Sequence, residues 1–147
     1  MKPLSTGLGA VVALLLTLIF FQRPIQAQAV QAHTMAPSEV TLTGTVESVL
    51  AKAAPGMIVG SHLLLATPVG PVDASLGRFG LQGDGAVSVA AGQQIEATGV
   101  MKRIKDTSVL LVRSVKVGGE VYTIRNKHGF PVSPQARKRA SEKGESL

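Results

Sequence analysis

The chain has 147 residues, no cysteine and a formal net charge of +6, with 45% hydrophobic and only 3% aromatic residues. This length is that of one domain. The absence of cysteine excludes a disulfide framework and a lipid-modified N-terminal cysteine, so the fold must be stabilised by a packed core of Val, Leu, Ile and Ala.

The N-terminal segment has the pattern of a secretory signal peptide. Lys2 precedes the apolar run 8–21, and Ala27-Gln28-Ala29 is a small-residue cleavage pattern. The run is shorter than the ~20 apolar residues that a spanning helix needs. We expect cleavage after Ala29 and a periplasmic or secreted protein. Arg23, which closely follows the run, leaves an uncleaved inner-membrane anchor as the alternative, and only that anchor would contact the membrane.

Strand patterns begin after this segment. Residues 30–38 have no periodicity and are expected to be a flexible lead-in. From Glu39 onwards apolar and polar residues alternate, as in half-buried strands. In the first strand the alternation slips near Ser48, which predicts a β-bulge. The predicted strands cover 39–51, 62–67, 71–76, 93–104, 108–117 and 120–125.

Glycine and proline mark the connections between these strands. Pro55-Gly56 turns the loop 52–60, and Gly118-Gly119 forms a two-residue hairpin turn. The glycine-rich stretch 78–92 is expected to be irregular, with at most one short helical turn. The charged tail 134–147 has few apolar residues and is expected to be disordered, with a loose helix as the alternative.

The order of these elements predicts the fold class. Six short strands without a strongly amphipathic helix are typical of an all-β barrel or sandwich. A long first strand, a hairpin, an irregular crossing and a second hairpin follow one another as in the five-stranded OB (oligonucleotide/oligosaccharide-binding) barrel. We therefore expect a small OB-like barrel of five to six strands over 39–133. In its fourth strand, the inward face is expected to carry Ile95, Ala97, Gly99 and Met101.

A resemblance to known proteins points the same way. The blocks GTVESV (44–49), GSHLLLATPVGPVDASLG (60–77), GQQIEATGV (92–100) and LLVRSVKVGGEVYTIRNKHGFPV (110–132) resemble successive segments of small exported bacterial OB-fold-like proteins, most of them uncharacterised. The matching positions are mainly glycines and turns. The resemblance therefore implies a fold and an exported location, and it implies no particular activity.

The sequence contains no pattern that predicts catalysis or metal binding. Ser61 and His62 are adjacent, and neighbours on a strand point to opposite faces. No glycine loop for phosphate is present. His33, His62 and His128 are widely spaced. His62 and His128 would be the first candidates for a metal site, but the simpler expectation is an exposed strand end and a turn. We expect a non-enzyme without metal or cofactor.

Two sets of residues are candidates for binding a partner. The first is one face of the first strand, where hydroxyl groups repeat every ~7 Å. Such a face suits a glycan or a protein surface, and it is also typical of a solvated strand. Its members are Thr41, Thr43 and Thr45. The second is a basic rim with one aromatic residue, comprising Lys102, Arg103, Lys105, Arg113, Tyr122 and Arg125.

The second set would suit nucleic acid only in part. Binding of single strands needs aromatic side chains for base stacking as well as positive charge, and only Tyr122 is an aromatic residue on a predicted strand. The sequence therefore predicts an exported, non-catalytic OB-like binding module for a protein or glycan of the cell envelope. Nucleic-acid binding through the basic rim is the alternative.

Overall fold

The computed structural model describes residues 38–147, so the predicted signal peptide and nearly all of the predicted lead-in lie outside the described residues. Within these residues, six strands and one helix follow in chain order: β1 (Glu39–Leu50), β2 (Ser61–Thr67), β3 (Gly70–Gly77), β4 (Gln94–Ile104), β5 (Thr107–Val117), β6 (Glu120–Thr123) and α1 (Pro134–Lys143).

The strands form one sheet that closes on itself. Their order is β3-β2-β1-β4-β5-β6, and β3 also pairs with β5. This last pairing is parallel and places Asp73 opposite Val109 and Ser75 opposite Leu111. It closes the first five strands into a barrel, to which β6 adds an extra strand beside β5. The small OB-like all-β barrel predicted from the sequence is confirmed.

Strand β1 is shared by both halves of the barrel because it bends. Its first half pairs with β4 and its second half with β2. The register with β2 shifts between Val46 and Ser48, which confirms the predicted bulge. Gly44 lies where the two pairings meet, and a Cβ atom there would be 2.8 Å from the carbonyl oxygen of Ala66. The close approach of β2 therefore requires glycine.

Aliphatic side chains fill the barrel. In β4, Ile95, Ala97 and Gly99 are buried as predicted, whereas Met101, further along the strand, is 37% exposed. Each fully buried Val or Leu contributes about 1.5–3 kcal/mol relative to the exposed side chain, so a core of this kind can stabilise a domain that lacks cysteine. The largest fully buried apolar side chains are Leu63, Leu65, Leu76, Leu110, Val46, Val112 and Val115.

The prediction of disorder for the charged tail is wrong for 134–143, which form α1. The Ser133 hydroxyl accepts a hydrogen bond from the Ala136 N–H at 3.2 Å, and Gly144 ends the helix in the left-handed conformation. Arg137 and Ala140 are its buried residues. A single buried arginine leaves no apolar periodicity in the sequence, which is why the pattern did not reveal a packed helix.

Arg137 joins α1 to the connection between β3 and β4. That connection consists of turns and irregular backbone. The Arg137 guanidinium donates to the backbone carbonyls of Phe79 at 2.8 Å, Gln82 at 3.0 Å and Asp84 at 3.1 Å. The helix and the connection thus hold each other in place. In the part of the chain described, no helix is both long enough and apolar enough to cross a membrane.

Candidate functional site

Four hydroxyl side chains line up across the outer face of the barrel. The strand registers place Thr41 opposite Thr98, Thr98 opposite Ser114, and Ser114 opposite Thr123. Directly opposed residues point to the same face of a sheet. The Thr41 and Thr98 hydroxyls lie 2.9 Å apart and share a hydrogen bond. These four residues form the hydroxyl row, which crosses β1, β4, β5 and β6.

Further polar residues lie beside the hydroxyl row. Thr43 is opposite Glu96, and Glu96 is opposite Lys116. All three side chains are exposed, as is Thr45 one step further along β1. The predicted threonine face is therefore one edge of a wider polar surface. Sequence reasoning missed its partners because β1 and β4 are distant in the chain and because a bulge shifts the register between β4 and β5, which alternation along a single strand does not show.

A cleft of about 370 Å³ adjoins the hydroxyl row at the start of β1. Val100 and Leu111, which are opposed across β4 and β5, form its apolar part. This basic cleft brings together three residues of the predicted basic rim with the turn that follows β6. Its charged members are Glu39, Lys102, Arg113, Arg125 and Lys127, with His128 at the same turn.

Arg113 enters the basic cleft because β5 carries a bulge. Thr98 pairs with Ser114 and Gly99 pairs with Val112, so Arg113 has no opposite residue on β4. A bulge of this kind redirects a side chain. The Arg113 guanidinium donates through Nε and Nη2 to the two carboxylate oxygens of Glu39, the second at 2.9 Å.

This contact changes the acidity of both partners. The hydrogen bond from Arg113 lowers the pKa of the Glu39 carboxyl below its usual 4.5, and the same bond raises the pKa of Arg113. Both side chains are 40% exposed. Solvent screening therefore limits the contribution of the pair to stability to about 1 kcal/mol or less.

Arg125 is the most enclosed cation of the basic cleft. Its Nη1 donates to the carbonyl oxygens of Ser75, at 2.9 Å, and Val112. Burial lowers the pKa of the Arg125 guanidinium, which nevertheless stays protonated at neutral pH. Within residues 38–147 it forms no ion pair. Arg125 therefore carries a positive charge that no described carboxylate neutralises.

The turn 126–129 closes one side of the basic cleft and is held by Asn126. The Asn126 side-chain oxygen accepts hydrogen bonds from the backbone N–H groups of His128 and Phe130, both at 3.0 Å. Gly129 has φ +83°, a conformation that glycine adopts without strain. Lys127 and His128 are consequently presented to solvent at the rim of the cleft by an ordered turn.

Three of the predicted site residues lie elsewhere. Arg103 and Lys105 are exposed near the β4–β5 turn and do not line the basic cleft. Tyr122 is opposite the buried Val115 and packs against the core. Its hydroxyl donates to the Glu120 carboxylate at 2.6 Å. The face that carries the hydroxyl row therefore gains no stacking platform from Tyr122.

His62 is fully buried, so the expectation of an exposed strand end is wrong. Its Nδ1 lies 2.6 Å from Asp73 Oδ1, and its Nε2 lies 2.8 Å from the carbonyl oxygen of Ile58. Because a carbonyl oxygen only accepts, Nε2 must carry a proton. The ring thus links β2 and β3 to the loop 51–60, which sequence periodicity cannot show.

Ser75 lies next to His62 and Asp73, but His62 is not arranged to act as a general base for the Ser75 hydroxyl group. It is opposite His62 in the β2–β3 register and is 0% exposed, and its Oγ has no hydrogen-bond partner among the described residues. In a serine-histidine-aspartate triad the histidine Nε2 accepts the serine proton. Here that nitrogen already donates to Ile58. Nor does any group of three or more His, Cys, Asp or Glu within residues 38–147 offer a metal site.

Comparison with known proteins does not identify a family. No family model, curated protein or solved structure matches this chain. The description of the fold as OB-like therefore depends on the order and pairing of its strands, and the sequence resemblance to exported OB-fold-like proteins stays a prediction.

Proposed function

We propose that this protein is an exported, non-catalytic binding module that holds a glycan or protein partner on the hydroxyl row and the polar residues beside it. The observation that carries this proposal is the alignment of Thr41, Thr98, Ser114 and Thr123 across four strands. Export is proposed from the signal-peptide pattern before Val30.

The chemistry of the hydroxyl row suits a polar partner. Each hydroxyl group can both donate and accept a hydrogen bond, as the hydroxyl groups of a sugar also do. Three of the four side chains stand on strands of the closed barrel, and Thr123 stands on β6, which is paired with the barrel strand β5. Their spacing is therefore fixed before a partner arrives, and fixed groups lose less entropy on binding. They lie on the outer face, where they do not fill the core.

The region where OB barrels commonly bind ligands is less suitable here. That region includes the loops between β1 and β2 and between β4 and β5. In this protein the cleft between them measures about 240 Å³. Its one carboxylate, Asp73, is already bonded to His62. We expect the loops at Pro55-Gly56 and Lys105-Asp106 to add contacts to a large partner and not to hold a ligand alone.

Nucleic-acid binding is the second candidate, favoured by the cations of the basic cleft. Positive charge alone gives sequence-independent attraction to phosphates. Stacking would need an exposed aromatic side chain, and the exposed Phe130, at 67%, does not line the cleft. The charge without a stacking surface makes this candidate the weaker one.

The test compares alanine variants in recovery of partners from an envelope fraction by the tagged protein. Replacing Thr41, Thr43 and Thr45 together by alanine should reduce recovery while the melting temperature changes little. A control variant removes two exposed hydroxyls that do not belong to the face, at Ser88 and Ser108, and should leave recovery unchanged. Equal recovery by the threonine variant and the serine variant would contradict the proposal, and loss of recovery on nuclease treatment would favour nucleic acid.

A further inference from the structure

The basic cleft contains more positive than negative charge. Lys102, Arg113, Arg125 and Lys127 line it together with the single carboxylate of Glu39. Within residues 38–147 only Arg113 is paired with that carboxylate. A cleft lined by one sign of charge concentrates the opposite charge in its interior. The cleft is therefore complementary to an anionic group brought by a ligand.

The contact between Arg113 and Glu39 indicates which anion fits. Two nitrogens of one guanidinium donate to the two oxygens of one carboxylate, the side-on arrangement in which arginine binds carboxylates most strongly. A carboxylate thus already occupies one end of the cleft. The other end, around Lys102, Arg125 and Lys127, has cations without such a partner among the described residues.

The basic cleft and the hydroxyl row are continuous. Along β1, Glu39 of the cleft is two residues from Thr41 of the row, and along β4 Val100 is two residues from Thr98. Two residues of a strand span ~7 Å. One ligand can therefore reach both the cleft and the row. To do so, it must carry carboxylate groups and hydroxyl groups that lie ~7 Å apart.

We propose that the cleft and the row together bind a carboxylated glycan, a chain of uronic acid residues. Lys102, Arg125 and Lys127 receive a carboxylate, and the sugar hydroxyls meet the hydroxyl row. This inference rests on the proposed function, because it takes the hydroxyl row as the binding surface. Glu39 competes with the ligand carboxylate for Arg113, and its negative charge weakens binding.

The direction of the hydroxyl row favours a glycan over an acidic peptide. An extended peptide usually adds to the free edge of a sheet through backbone hydrogen bonds. The row instead runs across the strands, and in its middle, at Thr98 and Ser114, β4 and β5 are each paired with a neighbouring strand on both sides. A ligand that crosses the middle of the row must therefore interact there through side chains, which suits a polymer that is hydroxylated along its whole length.

The test uses polygalacturonate as the probe, with binding to the domain measured by titration calorimetry. Its methyl ester, poly-L-glutamate and a single-stranded DNA oligonucleotide are the comparison probes. We expect binding to polygalacturonate, at least about tenfold weaker binding to the ester, and weaker binding to the other two. Lys102→Gln and Lys127→Gln should each weaken binding about tenfold, and Glu39→Gln should strengthen it.

Matched controls are Lys52→Gln and Lys143→Gln, two exposed lysines outside the cleft, which should bind polygalacturonate like the unchanged protein. Melting curves of all variants show that they fold. Equal binding of the methyl ester, stronger binding of poly-L-glutamate or the oligonucleotide, or no binding to polygalacturonate would overturn this inference. The proposed function has its own readout, because loss of envelope partners in the threonine triple variant does not depend on a carboxylate.

Discussion

At the scale of single residues, Gly99 is the glycine within residues 38–147 that has the least room for a side chain. A Cβ atom there would lie 2.2 Å from the carbonyl oxygen of Leu111 and 2.8 Å from the Cα of Val112. The backbone of β5 comes this close where its register with β4 shifts. Gly99→Ala should therefore lower the free energy of unfolding by about 1–3 kcal/mol, measured by urea denaturation, and Gly99→Val by more.

The neighbouring residue provides the control for this prediction. Thr98 lies on the outer face, so Thr98→Ala should change the free energy of unfolding by roughly 0.5 kcal/mol or less. If Gly99→Ala and Thr98→Ala had the same urea midpoint, the close approach of the two strands would be refuted.

His62 and Asp73 give a second prediction at this scale. His62→Phe removes the partner of a carboxylate whose side chain is only 12% exposed and leaves the Ile58 carbonyl without its donor. Breaking one side of a buried pair costs about 3–5 kcal/mol, so the variant should unfold at a much lower urea concentration.

A double replacement tests whether His62 and Asp73 stabilise the protein as a pair or each through its own packing. His62→Leu with Asp73→Leu removes both polar groups, and replacing a whole buried pair by apolar side chains is often nearly neutral. The double variant should therefore be more stable than His62→Phe. A double variant that is less stable would show that the two side chains contribute independently.

The exposure of some single residues could be predicted from the sequence, and the contacts of others could not. The exposure of Thr41, Thr43 and Thr45 followed from alternation along one strand, which is a local property. The burial of His62 did not, because one of its hydrogen-bond partners, the carbonyl oxygen of Ile58, belongs to a loop without periodicity. The bidentate contact of Arg113 with Glu39 joins residues 74 positions apart in the sequence, and a local sequence pattern cannot reveal a contact between such residues.

At the scale of elements, α1 depends on Arg137. Its guanidinium bonds to three carbonyls of the β3–β4 connection, whereas Arg139 is exposed and, among the described residues, donates only to Gln135 of the same helix, at 3.4 Å. Arg137→Ala should therefore speed amide hydrogen exchange in 134–143 by about tenfold or more while the strands stay protected.

Arg139→Ala is the matched control, since it removes the same charge from the same helix. It should leave exchange in α1 close to that of the unchanged protein. Equal exchange in the two variants would mean that the carbonyl contacts of Arg137 do not hold the helix.

The strands and turns were predictable for a physical reason that does not extend to the helix. Alternation with a period of two and the two-glycine turn at Gly118-Gly119 identify hairpins within short windows. Five of the ten residues of α1 are charged, and the attachment of the helix depends on Arg137, which bonds to a connection more than 50 residues earlier in the chain. The bulge that directs Arg113 into the basic cleft likewise appears only when β4 and β5 are paired.

At the scale of the whole molecule, the fold was more predictable than the candidate site. The order of strands along the chain limits how a small barrel can close, and the parallel pairing of β3 with β5 completes that closure. The site, in contrast, is assembled from β1, β4, β5, β6 and the turn 126–129. Its shape depends on registers among all of them, so the sequence could nominate Thr41, Lys102 and Arg113 but could not show that they adjoin.

The N-terminal segment determines whether the whole protein is released or stays attached to the membrane. The charged start, the apolar run 8–21 and Ala27-Gln28-Ala29 favour cleavage after Ala29. The intact mass of protein from the envelope should therefore correspond to a chain that begins at Val30 or within a few residues of it. Ala29→Arg removes the small residue that a signal peptidase requires, and it should yield the full-length mass in the membrane fraction. A full-length mass for the unchanged protein would show that the apolar run is retained as an anchor, and the binding face would then act while tethered to the membrane.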